Sequence, residues 1–175
     1  MKLFVGIGNP DEQYESTRHN VGIDIIQELA KELNVDLSMS SKFGATIGKH
    51  ESGFFLARSL SYMNDSGWPI KTIANFYKIP PEKIWVIHDD FDVPIGVVKE
   101  SFDSRSAGHN GVESIIRELG TKKFNRVRVG IRPNYEIKVP LEKFVLEKFD
   151  LEELDKIHRS IEQAKKIIKT KIKES

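Results

Sequence analysis

The chemistry available to this chain rests on imidazoles, carboxylates and amides, because it has five histidines and no cysteine. Thiolate nucleophiles, disulfides and cysteine-ligated zinc are thereby excluded. Four short stretches collect the polar groups of interest. Asn9 follows the apolar run Leu3 to Ile7, with Thr17-Arg18-His19-Asn20 soon after. His88-Asp89-Asp90 follows the apolar run Ile84 to Ile87. Tyr62-Met63-Asn64 and His109-Asn110-Gly111 complete the set. An imidazole with a pKa near 6.5 takes a proton from water at neutral pH. It does so better when a carboxylate holds its other nitrogen and stabilises the imidazolium. His19 is the candidate base and Asp89 its candidate partner. Asparagine side chains supply N–H donors without charge, which suits an ester carbonyl becoming an oxyanion. No serine sits in a Gly-x-Ser-x-Gly elbow, so attack by water is preferred over a covalent acyl-enzyme.

Each residue also has a plainer role open to it. A histidine near a helix start serves as a cap or a surface group. Asp89, Asp90 and Asp92 suit a turn, Asn64 suits a helix cap, and Asn110-Gly111 is a common turn pair. Gly6-x-Gly8 lacks the third glycine of a dinucleotide loop, since Asp11 stands there, and Pro10 has no N–H to offer phosphate. A metal held by His19, His88, Asp89 and His109 is conceivable, but no pair has the i, i+4 spacing of a helical zinc motif. The expectation is no metal and no cofactor.

The elements that must position these groups are legible from periodicity. Leu3 to Ile7 reads as a buried strand entering a tight loop. Val21, Ile25, Leu29 and Leu33 recur every four residues, which predicts a helix, with Thr17 or Asn20 at its cap. Ala45 to His50 and Phe54 to Arg58 read as two strands. A helix from about Ser66 to Tyr77 ends before Pro80-Pro81. Ile84 to Ile87 is a second buried strand, and Val97 to Phe102 a further one. Residues 104–111 read as loop, and Val112 to Leu119 as a helix with Gly120 at its C-terminal cap. Arg126 to Ile131 alternates charged and apolar residues, as a strand with one wet face does. From Leu151 an amphipathic helix carries Leu154, Ile157, Ile161, Ala164, Ile168 and Ile172 on its apolar stripe. The alternation predicts one α/β domain over residues 1–175, with a twisted, mixed, mostly parallel sheet flanked by helices on both faces. In such sheets ligands bind beyond the carboxyl ends of the strands, where His19 and Asp89 fall.

The 175 residues suit one domain, and 39% of them are apolar. With 27 basic against 26 acidic residues the net charge is +1, so any nucleic-acid contact must come from local clustering. Arg126 and Arg128 share one face of their strand, and a guanidinium pair there can grip a phosphate, or simply be solvated. Lys165, Lys166, Lys169, Lys171 and Lys173 make the last helix basic, an ordinary soluble surface or a lesser RNA contact. No run approaches the length of a membrane span, and the first residues are no signal peptide, so a cytoplasmic location is expected.

In order, the motifs resemble the bacterial-type peptidyl-tRNA hydrolases. They are Gly6-Ile7-Gly8-Asn9-Pro10, Tyr14, Thr17-Arg18-His19-Asn20-Val21-Gly22, Tyr62-Met63-Asn64-Asp65-Ser66-Gly67, His88-Asp89-Asp90-Phe91-Asp92-Val93-Pro94-Ile95-Gly96, Gly108-His109-Asn110-Gly111, Phe124-Asn125-Arg126-Val127-Arg128-Val129-Gly130-Ile131 and Phe144-Val145-Leu146. The resemblance implies a monomeric, metal-free enzyme that cleaves the ester between a peptide and the 3′ end of tRNA. It implies that His19 activates water, Asp89 orients His19, and Asn9, Asn64 and Asn110 hold the substrate and polarise the ester. Tyr14, Met63 and His109 would line the cleft, and Arg128 would belong to a clamp for a tRNA phosphate. This chain departs from the family at Asp11, usually glycine, and at residues 103–107, usually glycine-rich. It also has Ser101 where a basic clamp residue is expected, with Lys99 and Arg105 close by. One residue is missing between Gly130 and Pro133. The rival functions are a non-catalytic RNA-binding relative, which would not need the His19–Asp89–asparagine set, and a small-ester hydrolase, which would not need the arginines.

Overall fold

The computed structural model describes residues 1–174. Its strands are β1 (Lys2–Gly6), β2 (Ser38–Ser40), β3 (Ala45–Lys49), β4 (Phe54–Ser59), β5 (Ile84–Pro94), β6 (Val98–Phe102) and β7 (Asn125–Arg132). Its helices are α1 (Val21–Glu32), α2 (Gly67–Tyr77), α3 (Asn110–Leu119), α4 (Leu141–Phe144) and α5 (Leu154–Lys173). The sheet runs in the order β2-β3-β4-β1-β5-β7-β6. Its four central strands are parallel, while β3 joins β4, β2 joins β3 and β6 joins β7 antiparallel. The mixed α/β sheet expected from the alternation is present, with the antiparallel pairings at its two edges.

The strand period of two divides the core between the two faces. Leu3 and Val5 of β1 pack with α2 and α3, whereas Phe4 packs with α1 and α5. The expected stripes of α1 and α5 fill that second cluster. Gly22 lets α1 lie directly on the sheet. A Cβ there would stand 2.1 Å from the Ile87 carbonyl oxygen, so only glycine fits. This contact brings the residues just before α1, His19 and Asn20 among them, to the carboxyl ends of β1 and β5.

Several local expectations differ from the structure. β5 continues through His88, Asp89 and Asp90, because β7 keeps pairing with it up to the Asp90–Gly130 position. α3 begins at Asn110, so the last residues of the expected loop are its cap and first turn. Neither Thr17 nor Asn20 caps α1 with its side chain. The short strand β2, Ser-Met-Ser, has too little apolar character to be read in advance. The arginine face of β7 is not uniformly wet either, since Arg126 is buried. The lysines of α5 are largely engaged with acids. Lys165 is buried and meets Glu28, Glu32 and Glu162 at 2.9, 2.6 and 2.6 Å, Lys169 pairs with Glu32, and Lys171 with Glu100. They join α5 to α1 and β6 rather than forming a free basic surface.

Candidate active site

Two strand ends and one helix start build the site. The turn 18–20 after β1 carries His19, β5 carries Asp89, and His109 stands at the N-terminus of α3. His19 Nδ1 lies 2.8 Å from Asp89 Oδ2, and His109 Nε2 lies 2.9 Å from Asp89 Oδ1. Both carboxylate oxygens of the buried Asp89 are thus taken. His109 Nδ1 accepts the backbone N–H groups of Gly111 and Val112, so the hydrogen-bond pattern puts its own proton on Nε2, facing Asp89. Asp89 accepts from His19 Nδ1 in the same way, which leaves His19 Nε2 with its lone pair. Burial pulls the His19 imidazole down, but the Asp89 charge and hydrogen bond outweigh it and hold its pKa above the ordinary value. Burial pushes the Asp89 carboxyl up, and the two imidazoles draw it well below the usual carboxylate range.

The donor atoms of His19, Asp89 and His109 all lie within 4.8 Å of one another, a spacing compatible with a metal. The hydrogen bonds give the same atoms another use. A ligating imidazole offers a lone pair, whereas in this pattern the two nitrogens that face Asp89 donate to its carboxylate. His88, the fourth residue of that reading, is fully buried, with Nδ1 2.6 Å from the Asp89 carbonyl oxygen. Burial first, then His109 and the Arg126 charge, hold His88 far below its ordinary pKa, so it is a neutral wall behind His109.

His19 is itself held from behind. Its N–H donates to the Val145 carbonyl at 2.8 Å, and that of Arg18 to the Glu147 carbonyl at 3.0 Å. The Arg18 side chain is buried, 2.7 Å from Glu153 and 3.9 Å above the Phe144 ring. Segment 144–153 therefore fixes His19, a role that the Phe144-Val145-Leu146 motif alone did not disclose. Asn20, read from the sequence as a candidate helix cap, instead braces Asn9. Its side chain accepts the Asn9 N–H at 2.8 Å and donates to the Asn9 carbonyl at 2.9 Å. Asn9 Oδ1 accepts the Met63 N–H at 2.9 Å, which orients the amide and leaves Nδ2 as its donor.

His19 stands where two halves of a cleft meet. One half, about 190 Å³, is bordered by Asp89, Asp90, His109, Asn110 and Glu142. The other, about 330 Å³, is bordered by Asn9, Tyr14, Tyr62, Met63, Asn64 and Asn110. The expected catalytic and substrate residues are thus brought together at one cleft. Asn64 and Asn110 are exposed there, and Gly111 allows the two halves to close up. A Cβ on Gly111 would come within 2.4 Å of Met63 Sδ. Asp11, the departure from the family glycine, accepts a 2.6 Å hydrogen bond from the Tyr62 hydroxyl at the rim.

The arginines divide. Arg126 is turned inward and donates to Ser104 Oγ and, at 2.9 Å, to the Arg105 carbonyl, so the pair does not present itself together. Arg128 is partly exposed and fixed by Asp90, Nε to Oδ2 at 2.7 Å. Lys99 pairs directly opposite Arg128 across β6 and β7, hence on the same face. Ser101 occupies the equivalent place beside Arg126. Arg105 has an exposed side chain on the adjacent loop.

Fold and site together define an α/β protein with a histidine–carboxylate–histidine relay at the carboxyl edge of its sheet, flanked by a cationic patch. The family model described as peptidyl-tRNA hydrolase matches residues 3–175. A peptidyl-tRNA hydrolase of Bacillus cereus strain Q1 is 43% identical over 171 residues, spanning 94% of this chain and 89% of its own. One of Shouchella clausii is 40% identical over 172 residues, 96% of this chain and 91% of its own. The crystal structure of the peptidyl-tRNA hydrolase of Acinetobacter baumannii superimposes with a TM-score of 0.90 at 31% identity, covering 97% of this chain and 87% of that one. The chain belongs to the peptidyl-tRNA hydrolase family, whose members are hydrolases of the peptidyl-tRNA ester.

Proposed function

We propose that this protein hydrolyses peptidyl-tRNA by a water attack in which His19 is the general base. The observation that carries the mechanism is the His19–Asp89–His109 relay with the Nε2 lone pair of His19 left over. Water adds to the ester carbonyl carbon while His19 Nε2 takes its proton. The carbonyl oxygen becomes an oxyanion, and amide N–H donors, Asn9 Nδ2 first among them, stabilise it. The intermediate collapses, the bond to the tRNA terminal oxygen breaks, and that oxygen takes the proton back from His19. The products are a free peptide acid and deacylated tRNA.

Asp89 orients His19 and stabilises the imidazolium, and His109 keeps Asp89 in place. Asn64 and Asn110, with Tyr14 and Met63, hold the acyl group. Arg128 and Lys99 receive a tRNA phosphate, with Arg105 beside them. The whole site lies in one chain, which supports action as a monomer. Among the described residues no helix is long and apolar enough to cross a membrane, in keeping with a cytoplasmic enzyme.

The test is turnover of an N-acetyl-aminoacyl-tRNA by the purified protein, with a simple acyl ester as control. Hydrolysis of the tRNA substrate alone is expected, with His19→Ala lowering kcat about 10²–10⁴-fold. A His19→Ala enzyme within tenfold of wild type would remove His19 as the base, and equal action on both esters would favour a general esterase.

A further inference from the structure

Large aromatic side chains are exposed at the rim of the cleft and beyond it, on its β3–β4 side. Tyr62, Trp68 and Phe76 are 53%, 48% and 53% exposed. Trp68 and Phe76 lie eight residues apart on α2, on one face of the helix. Together with Lys42, Lys71, Thr72 and Asn75 they border a groove of about 500 Å³. Lys42 Nζ sits 3.5 Å over the Phe76 ring.

The patch is joined to the cleft. Tyr62 borders the acyl half, and two residues earlier the Leu60 N–H donates to the Gly44 carbonyl at 2.9 Å. Gly44 lies under the Trp68 ring, where a Cβ would be 2.4 Å from Cζ3, and the neighbouring Phe43 packs against Phe76. Ala45 at the start of β3 pairs with Ser59 at the end of β4. The Trp68 end of the patch therefore stands at the same carboxyl edge of the sheet as the cleft, and the patch runs from there along α2 to Phe76, beside Tyr77, which packs on Phe55 near the start of β4.

Sheet order gives this placement a direction. Counting from β1, the phosphate-binding strands β7 and β6 lie on one side and β4 and β3 on the other. With strands about 4.8 Å apart, Arg128 on β7 and the patch beside β3 each lie about 10 Å across the sheet from β1. A substrate that is RNA at one end and peptide at the other, with its RNA on the Arg128 side, sends its peptide over Tyr62 towards Trp68. At about 3.3 Å per extended residue, some three residues cover that span.

We propose that the Trp68–Phe76 groove is a docking track for the distal, apolar residues of the peptide. This rests on the function proposed above. The groove offers flat aromatic area, which suits apolar and aromatic side chains, and exposed aromatic patches of this kind mark interaction sites.

The experiment compares two substrates on the same tRNA, an N-acetyl-aminoacyl group and an N-acetylated pentapeptide with apolar side chains, in wild type and in Trp68→Ser/Phe76→Ser. The wild type is expected to show a kcat/KM about tenfold higher on the long substrate, through KM. The double variant is expected to lose that advantage while keeping the short substrate and its affinity for deacylated tRNA unchanged. No length effect in the wild type, or an equal loss on both substrates by a folded variant, overturns the track. Weaker binding of deacylated tRNA by the variant would assign the groove to RNA instead, and a change in its sedimenting mass to self-association. Failure of the wild type on the short substrate would sink the function, not only the track. If the double variant does not fold, Phe76→Ser alone must reduce the length advantage by about threefold for the proposal to stand.

Discussion

As the proposed base, His19 can act only when neutral, and its environment delays that state. Asp89 stabilises the imidazolium, so the proton leaves at a pH above the ordinary value of 6.5. The kcat/KM is therefore low at acid pH and climbs as pH rises through that raised value. Asp89→Asn removes the charge that raises it. An asparagine at this place accepts from one imidazole N–H and turns its own N–H₂ toward the other, so the relay is broken as well as discharged. Two effects are expected in pH–rate profiles on a single N-acetyl-aminoacyl-tRNA. The plateau falls by about 10²-fold or more, and the acid limb moves to lower pH, towards the value burial alone sets. A limb that stayed in place would detach Asp89 from His19. At this scale the sequence was informative about partners and poor about geometry. His19 and Asp89 follow the ends of β1 and lie in β5, and strand-end logic pairs them. That His109 would spend Nδ1 on two helix N–H groups was hidden, because the cap depends on α3 starting at Asn110 rather than two residues later.

The loop between β6 and α3 shows how one strand serves two purposes. Asp103 and Ala107 hold left-handed conformations, φ 49° and 52°, which glycine adopts more readily. A side chain there carries a cost of roughly 1 kcal/mol, so the loop needs ties. Arg126 supplies one, bonding Ser104 and the Arg105 carbonyl from beneath. The alternation of β7 correctly put Arg126 and Arg128 on one face. It did not show that the loop folds back over the first and leaves the second open, because that depends on a non-local contact. Arg126→Ala removes a buried side chain and its two partly buried hydrogen bonds to the loop, and is expected to destabilise the fold by about 1–3 kcal/mol in thermal or urea unfolding. It should not change the salt dependence of tRNA binding. A stable Arg126→Ala protein with weakened, less salt-sensitive binding would move Arg126 to the RNA surface. The basic run in α5 misled for a related reason. Composition counts charges, whereas Lys165, Lys169 and Lys171 are answered by Glu28, Glu32 and Glu100 from other elements.

Across the whole molecule, a nearly balanced charge leaves recognition of a polyanion to a small local surface. A net charge of +1 gives little long-range attraction, so few phosphate contacts are available and each one counts. Arg128 is the best placed. Asp90 takes its Nε and neutralises part of its charge, but also holds the guanidinium rigid, with the terminal nitrogens left for a phosphate. Lys99, its cross-strand neighbour, adds a cation where Ser101 adds none. Phosphate binding releases condensed counterions, so the affinity for tRNA falls as salt rises, and the slope of log K against log salt scales with the number of contacts. Arg128→Ala is expected to reduce the magnitude of that slope by about one and to weaken binding most at low salt. Lys99→Ala should act in the same direction. Because the proposed clamp residue Arg128 reaches the cleft only through Asp90 and does not touch the His19–Asp89–His109 relay, the loss should appear in KM at low substrate, with kcat on saturating tRNA close to wild type. A slope unchanged within error for both variants would place the RNA on another face of the sheet.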